Sequence, residues 1–163
     1  MTYEPMERLN LDHMGPFPTD ENGNTHILTI IDTFTRWVEL YPVQTTSAEE
    51  TADCLLKHIG RFGSPLQLLS DNGPAFVNEV IKSLSRLMGA EWLYTIAYSK
   101  QENAIVERSH RDTLRHLRGI LNHRKVRSKW SAHLPFVQRI MNASTKERLG
   151  VSPGQILFGN ALR

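Results

Sequence analysis

The sequence predicts an α/β domain: a five-stranded mixed sheet, three antiparallel strands followed by two parallel ones, with helices flanking it. Three observations carry this. Three short strand-like runs joined by turns open the chain. From Ser47 the apolar period changes from two to about 3.6, and helix and strand then alternate. From about Asn103 the remainder reads as helix.

The elements follow in order. Arg8 to Met14 alternate, with Leu9 and Leu11 on one side and Asn10 and Asp12 on the other, the pattern of a half-buried strand. Thr19 to Asn24 contains Asn22-Gly23, a strong hairpin signal between apolar runs. His26 to Asp32 and Arg36 to Val43, rich in β-branched and aromatic residues, are the second and third strands of a meander. Ser47-Ala48-Glu49-Glu50 has the capping-box form, and Ala48, Thr51, Ala52, Leu55, Leu56 and Ile59 recur at helical spacing until Gly63-Ser64-Pro65. Leu66 to Leu69 is a buried strand that runs into the turn Ser70-Asp71-Asn72-Gly73-Pro74. A second helix spans Asn78 to Met88 and stops at Gly89, and Trp92 to Ile96 is a fifth strand. Helices then cover Asn103 to His123 and Ser128 to Ala143.

Composition narrows the class. The 163 residues, 40% apolar, suit one domain with one core, and no repeat or linker divides residues 1–163. No apolar run approaches a membrane span, and the first residues lack the basic-then-apolar order of a secretion signal. Cys54 is the only cysteine, which excludes internal disulfides and cysteine zinc fingers and makes a reducing intracellular setting the default. The net charge of +2 conceals a strong asymmetry: Glu107 to Arg148 holds eleven basic and three acidic residues, and the rest of the chain is net negative. That third of the protein is suited to an anionic partner or, more plainly, to a solvated helix face.

Of the groups that could carry chemistry, the seven histidines are not spaced as a metal cluster, and neither a nucleophile elbow nor a phosphate-cradling glycine loop is present. The carboxylates are the better lead: Asp12 on the polar side of the first strand, Asp71 where the buried fourth strand enters its turn, and Glu107 at the start of the basic helix. Each has an ordinary structural role open to it, as a strand-surface, turn or helix-surface charge. At 100° per residue, Val106, His110, Thr113, Leu114 and Leu117 share one side of that helix, with Arg108, Arg111, Arg115 and Arg118 in an adjacent stripe. Glu107 falls on the border between them.

Five segments resemble a known family in order: Asn10-Leu-Asp-His-Met-Gly-Pro-Phe17, Ile31-Asp-Thr-Phe-Thr-Arg-Trp37, Ser70-Asp-Asn-Gly-Pro-Ala-Phe76, Asn103-Ala-Ile-Val-Glu-Arg108 and the tail Ser152-Pro-Gly-Gln-Ile-Leu-Phe-Gly159. Together they resemble the catalytic core of retroviral and LTR-retrotransposon integrases, the tail being similar to that of gypsy-type elements. Thirty-five residues separate Asp71 from Glu107, the spacing of that family's Asp, Asp, Glu signature. Ala104 stands where the family often has glycine, and Lys100 where proline is frequent.

The resemblance implies a ribonuclease H-like fold in which Asp12 and Asp71 meet on neighbouring strands and Glu107 leans in from its helix. It implies that these three acids are catalytic and bind two Mg²⁺ or Mn²⁺ ions roughly 4 Å apart, Asp12 bridging both. The implied reactions are 3′ processing of element ends and strand transfer into target DNA. Tyr98, Gln101 and Asn103 match family positions near the DNA end, and Arg108, Arg111 and Arg115 would contact backbone phosphates. It further implies double-stranded DNA as partner, a nuclear setting, and a homodimer or higher oligomer through the helices carrying Ala48 to Ile59 and Trp130 to Ile140. Lacking a zinc-binding module and a separate DNA-binding domain, the chain reads as a core fragment of a longer integrase. The rival readings are a related nuclease or transposase, a domesticated integrase-derived DNA- or protein-binding domain, and a structural domain whose basic helix meets acidic protein.

Overall fold

The computed structural model describes residues 4–94, 100–124, 127–147 and 149–162. Five strands, β1 (Arg8–Met14), β2 (His26–Asp32), β3 (Val38–Val43), β4 (Gln67–Ser70) and β5 (Glu91–Tyr94), form one sheet in the order β3-β2-β1-β4-β5. The β1–β2 and β2–β3 pairs are antiparallel, and β1–β4 and β4–β5 are parallel, as expected. Helices α1 (Ala48–Phe62), α2 (Glu79–Met88), α3 (Lys100–Arg124), α4 (Leu134–Ala143) and α5 (Pro153–Phe158) cover both faces. No helix among the described residues is long and apolar enough to cross a membrane.

The two faces bury separate cores. Leu9, Leu11, Leu28, Ile30 and Leu68 pack with Leu55 of α1 and Ile81 of α2. Met14, Ile27, Ile31, Val38 and Leu40 pack with Val106 and Leu117 of α3 and Val137 of α4. Each fully buried Leu or Ile contributes about 2 kcal/mol of transfer free energy. β1 is therefore covered on both faces rather than half-buried, and even Asn10 is only 4% exposed. Past its buried centre at Leu9 to Leu11, β1 opens partly to solvent at Asp12 and His13 on its way to Met14.

Several boundaries differ from the sequence expectation for local reasons. β3 starts at Val38 because the Asp32 carboxylate accepts from Phe34 N, Thr35 N and Thr35 Oγ1, folding residues 33–37 into a turn. In that turn Arg36 takes φ +66°, the left-handed region that side chains rarely adopt. Ser47 caps α1 by accepting from Glu50 N, but the Glu50 carboxylate reaches back to Gln44 N and Thr45 N, so half the expected capping box forms. The complete box lies at α5, between Ser152 and Gln155. Residues 128–143 are not one helix: two 3₁₀ turns, Arg127–Lys129 and Ser131–His133, flank buried Trp130, whose Nε1 donates to Pro18 O. α4 then starts with Pro135 in its first turn, where a missing N–H costs nothing. Residues 95 and 96 of the expected fifth strand lie outside the described residues.

The free rim of β3 is closed by side chains of α4. Asn142 Oδ1 accepts from Val38 N, Asn142 Nδ2 donates to Val38 O, and Gln138 Oε1 accepts from Leu40 N. Gln138 Nε2 also donates to buried Glu39, which takes Trp37 Nε1 and an ion pair from Arg61 at 2.6 Å. Every one of these buried polar groups is thus answered.

Candidate active site

The parallel register of β1 and β4 sets Asn10 level with Leu69. Carried two residues further, with side chains alternating along both strands, the same register brings Asp12 beside Asp71. Both carboxylates line a cleft of about 390 Å³ at the C-terminal ends of these strands, closed by His13, Ser47, Gly73 and Phe76. The His13 ring lies 5.2 Å from that of Phe76 in a stacked pair.

Asp12 is 37% exposed and keeps few partners: Oδ1 accepts from His13 N at 2.8 Å, and Oδ2 lies 3.8 Å from His110 Nε2 on α3. Burial, opposed by the His13 N–H and reinforced by the charge of Asp71, raises the Asp12 pKa to about 6. His110 offers no compensating charge, because burial lowers its pKa to about 4 and leaves it neutral at pH 7. Its Nε2 is buried without a hydrogen-bond partner.

Asp71 Oδ1 accepts from Gly73 N at 3.0 Å. A Cβ at Gly73 would stand 2.9 Å from that same oxygen, so the missing side chain leaves the carboxylate its place in the cleft. Two close carboxylates, one with its proton affinity raised, are an electrostatic deficit that a cation relieves. An all-oxygen donor pair suits a hard divalent ion such as Mg²⁺ or Mn²⁺, so the residues present fit the metal.

The third predicted acid is placed differently. Glu107 is exposed on α3 and does not line the cleft; His110, one turn on, is the α3 residue that reaches Asp12. Among the described residues, no three His, Cys, Asp or Glu side chains are grouped to hold one ion. Arg111 is exposed, whereas Arg108 and Arg115 line a second pocket on another flank of α3. Gln101 and Asn103 fall on the first turn of α3 with side chains outside the described residues, and Tyr98 lies outside them altogether. Sequence reasoning missed His13 and Gly73 as parts of the cleft and His110 as the α3 residue that approaches Asp12. The Gly after Asp71-Asn72, and a His three residues after Glu107, were the available signals.

Comparison with known proteins agrees with this architecture. The family described as Integrase core domain matches residues 2–100, a span that takes in Asp12 and Asp71. The Gag-Pol polyprotein of avian reticuloendotheliosis virus is 37% identical over 150 residues, covering 86% of this chain and 12% of the polyprotein. That of woolly monkey sarcoma virus is 38% identical over 138 residues, 84% of this chain and 8% of the polyprotein. The chain thus spans about a tenth of these relatives. Among solved structures, the catalytic core domain of BIV integrase superposes with a TM-score of 0.76 at 26% identity, covering 93% of each chain. The HTLV-2 integrase catalytic core domain in complex with magnesium gives 0.78 at 18% identity, covering 94% of this chain and 97% of that one. The shared fold is the ribonuclease H-like one.

Proposed function

Because this chain belongs to the Integrase core domain family, we propose that it is the catalytic core of a DNA integrase, a metal-dependent polynucleotidyl transferase. The observation that carries the reading is the meeting of Asp12 and Asp71 at the ends of two parallel strands.

In this reading Asp12 and Asp71, with Glu107 contributed from α3, would hold two Mg²⁺ or Mn²⁺ ions. When bound, the ions neutralise the carboxylates and supply the positive charge that an in-line phosphoryl substitution requires. Among the described residues the cleft shows no activated nucleophile: the Ser47 hydroxyl at its wall caps α1. Water attacks a phosphodiester near the element's DNA end in 3′ processing, and the 3′ hydroxyl so released attacks target DNA in strand transfer. Asp12 and Asp71 fix where the scissile phosphate sits, His13 and Phe76 wall the cleft, and uncharged His110 covers the far oxygen of Asp12. Tyr98, Gln101 and Asn103 contact the DNA end, and Arg108, Arg111 and Arg115 contact backbone phosphates. Two copies pair through α1 and α4, which Leu56 and Phe136 support as large apolar side chains 53% and 58% exposed on those helices; the proposed setting is the nucleus.

The test is Mn²⁺-dependent disintegration of a branched DNA substrate. Wild type is expected to resolve the branch, and Asp71→Asn to lose at least a hundredfold in rate while keeping its far-UV circular dichroism and thermal transition. Equal rates for the two proteins would reject the assignment.

A further inference from the structure

On the flank of α3 turned away from Asp12 lies a pocket of about 510 Å³. Arg108, Ser109, Asp112 and Arg115 line it from α3, Arg36 from the β2–β3 turn, and Lys146 from the segment after α4. At 100° per residue the four α3 positions fall within about 120° of one another, with Glu107 and His110 on the other side of the helix. One helix therefore separates an acidic cleft from a cationic pocket.

The charges in this pocket are not balanced from within. Four cations face two acids, Asp112 and Glu147. Asp112 is already committed to Arg115, with Oδ1 and Nη2 3.2 Å apart, and Glu147 is exposed. Arg36, Arg108 and Lys146 have no ion pair among the described residues. Arg36 is half-buried; desolvation, then the charge of Arg108, lower its proton affinity, and the charge of Asp32 opposes them. Desolvation lowers that of Lys146 as well, opposed by the charge of Asp112 and reinforced by Arg115.

Two unsatisfied polar atoms belong to residues lining the same space. Ser109 is 8% exposed, and its Oγ is buried without a partner; Arg36 Nη1 is likewise buried and unanswered. Buried donors are nearly always paired in a folded protein, so a group absent from the chain itself is the natural acceptor. Arg36 also sits at φ +66°, where glycine or asparagine is the ordinary occupant of such a hairpin turn. The turn thus carries a guanidinium at a cost in backbone strain.

We infer that this pocket is a phosphate site separate from the acidic cleft, in which Arg36, Arg108 and Lys146 supply charge and Ser109 Oγ a hydrogen bond to a phosphoryl oxygen. Guanidinium groups suit phosphate oxygens by their planar fork, and a partly dry pocket strengthens each contact. The phosphate comes either from a DNA backbone passing α3 or from a free phosphate anion. The DNA source rests on the function proposed above; the free-anion source does not.

The experiment uses the whole chain in EDTA, so that no cleavage enters. Pyrophosphate is titrated by calorimetry, and a fluorescent duplex by anisotropy across a series of salt concentrations. The variants are Arg36→Gly, which places the residue the backbone prefers, Ser109→Ala and Lys146→Met. Pyrophosphate is expected to bind wild type, and Arg36→Gly and Lys146→Met to weaken it about tenfold or more. If the DNA backbone is the source, the same variants lose duplex affinity, and the slope of log K against log salt falls by about one per cation removed. Loss confined to pyrophosphate assigns the site to a free anion; loss of duplex binding, with or without pyrophosphate, assigns it to DNA. If no variant changes either affinity or the salt slope, the proposal is overturned. These titrations run without metal or cleavage, whereas the disintegration assay on Asp71→Asn reads the acidic cleft, so failure of the catalytic assignment and failure of this site remain distinguishable.

Discussion

Asp12 and Asp71 line one cleft at the C-terminal ends of the parallel β1–β4 pair, and the His110 ring 3.8 Å from Asp12 brings it no positive charge at neutral pH. The metal-free protein therefore holds two carboxylates in one cleft, where burial, reinforced by the charge of Asp71, raises the proton affinity of Asp12.

Removing one of these charges should stabilise the metal-free fold. In Asp12→Asn the amide oxygen can still accept from His13 N while the buried charge is lost. Discounted for the 37% exposure of the side chain, the gain is about 1 kcal/mol. A thermal melt in EDTA should show a transition a few degrees higher, with disintegration activity lost.

His58 should govern part of the acid sensitivity. It is 1% exposed on α1, its ring nitrogens lack hydrogen-bond partners, and burial, then the charge of Arg61, lowers its pKa to about 4. The unfolded chain takes up this proton near pH 6.5, but the folded one resists until about 4. Stability from this group is complete above pH 6.5 and is lost as pH falls through that window. His58→Leu should be more stable at pH 5 and should flatten the stability–pH slope there by about 1 kcal/mol per pH unit. Denaturant melts at pH 7 and 5 measure both effects.

Asn142 is 1% exposed and answers both backbone groups of Val38. Asn142→Ala leaves a buried N–H and C=O unpaired and should cost about 3 kcal/mol. Gln138→Ala, at a partly buried site with one backbone bond, should cost about 1 kcal/mol. Urea midpoints at constant m-value compare them.

Arg36→Gly should raise the stability of the protein by about 1 kcal/mol through relief of the left-handed backbone. A higher thermal midpoint would show that the guanidinium is kept at the expense of the fold.

Much of this was legible in the sequence because the relevant patterns are local. Strand alternation and the strand-helix-strand order place Asp12 on the first strand and Asp71 just past the end of the parallel fourth strand, and both line one cleft there. The position of Glu107 was not legible in the same way, because the tilt and rotation of α3 depend on packing against β1 and α4. The break between residues 128 and 133 depends on Trp130 reaching Pro18, a pairing more than a hundred residues apart that no local period encodes. The cationic pocket was half visible as an arginine stripe. Arg36 and Lys146 join it only because a side-chain-capped turn and a distant loop converge on the helix.

The way α4 seals β3 limits how copies of this protein can associate. A strand from another molecule would find the N–H and C=O of Val38 and the N–H of Leu40 already taken by amide side chains. Growth of a continuous sheet from that side would first require α4 to peel away, exposing Val137 and Met141 to water. Multimers built from this core are thereby steered towards helix-to-helix contacts, and ribbon-like polymerisation through β3 is suppressed by the interior of the protein rather than by charges on its surface.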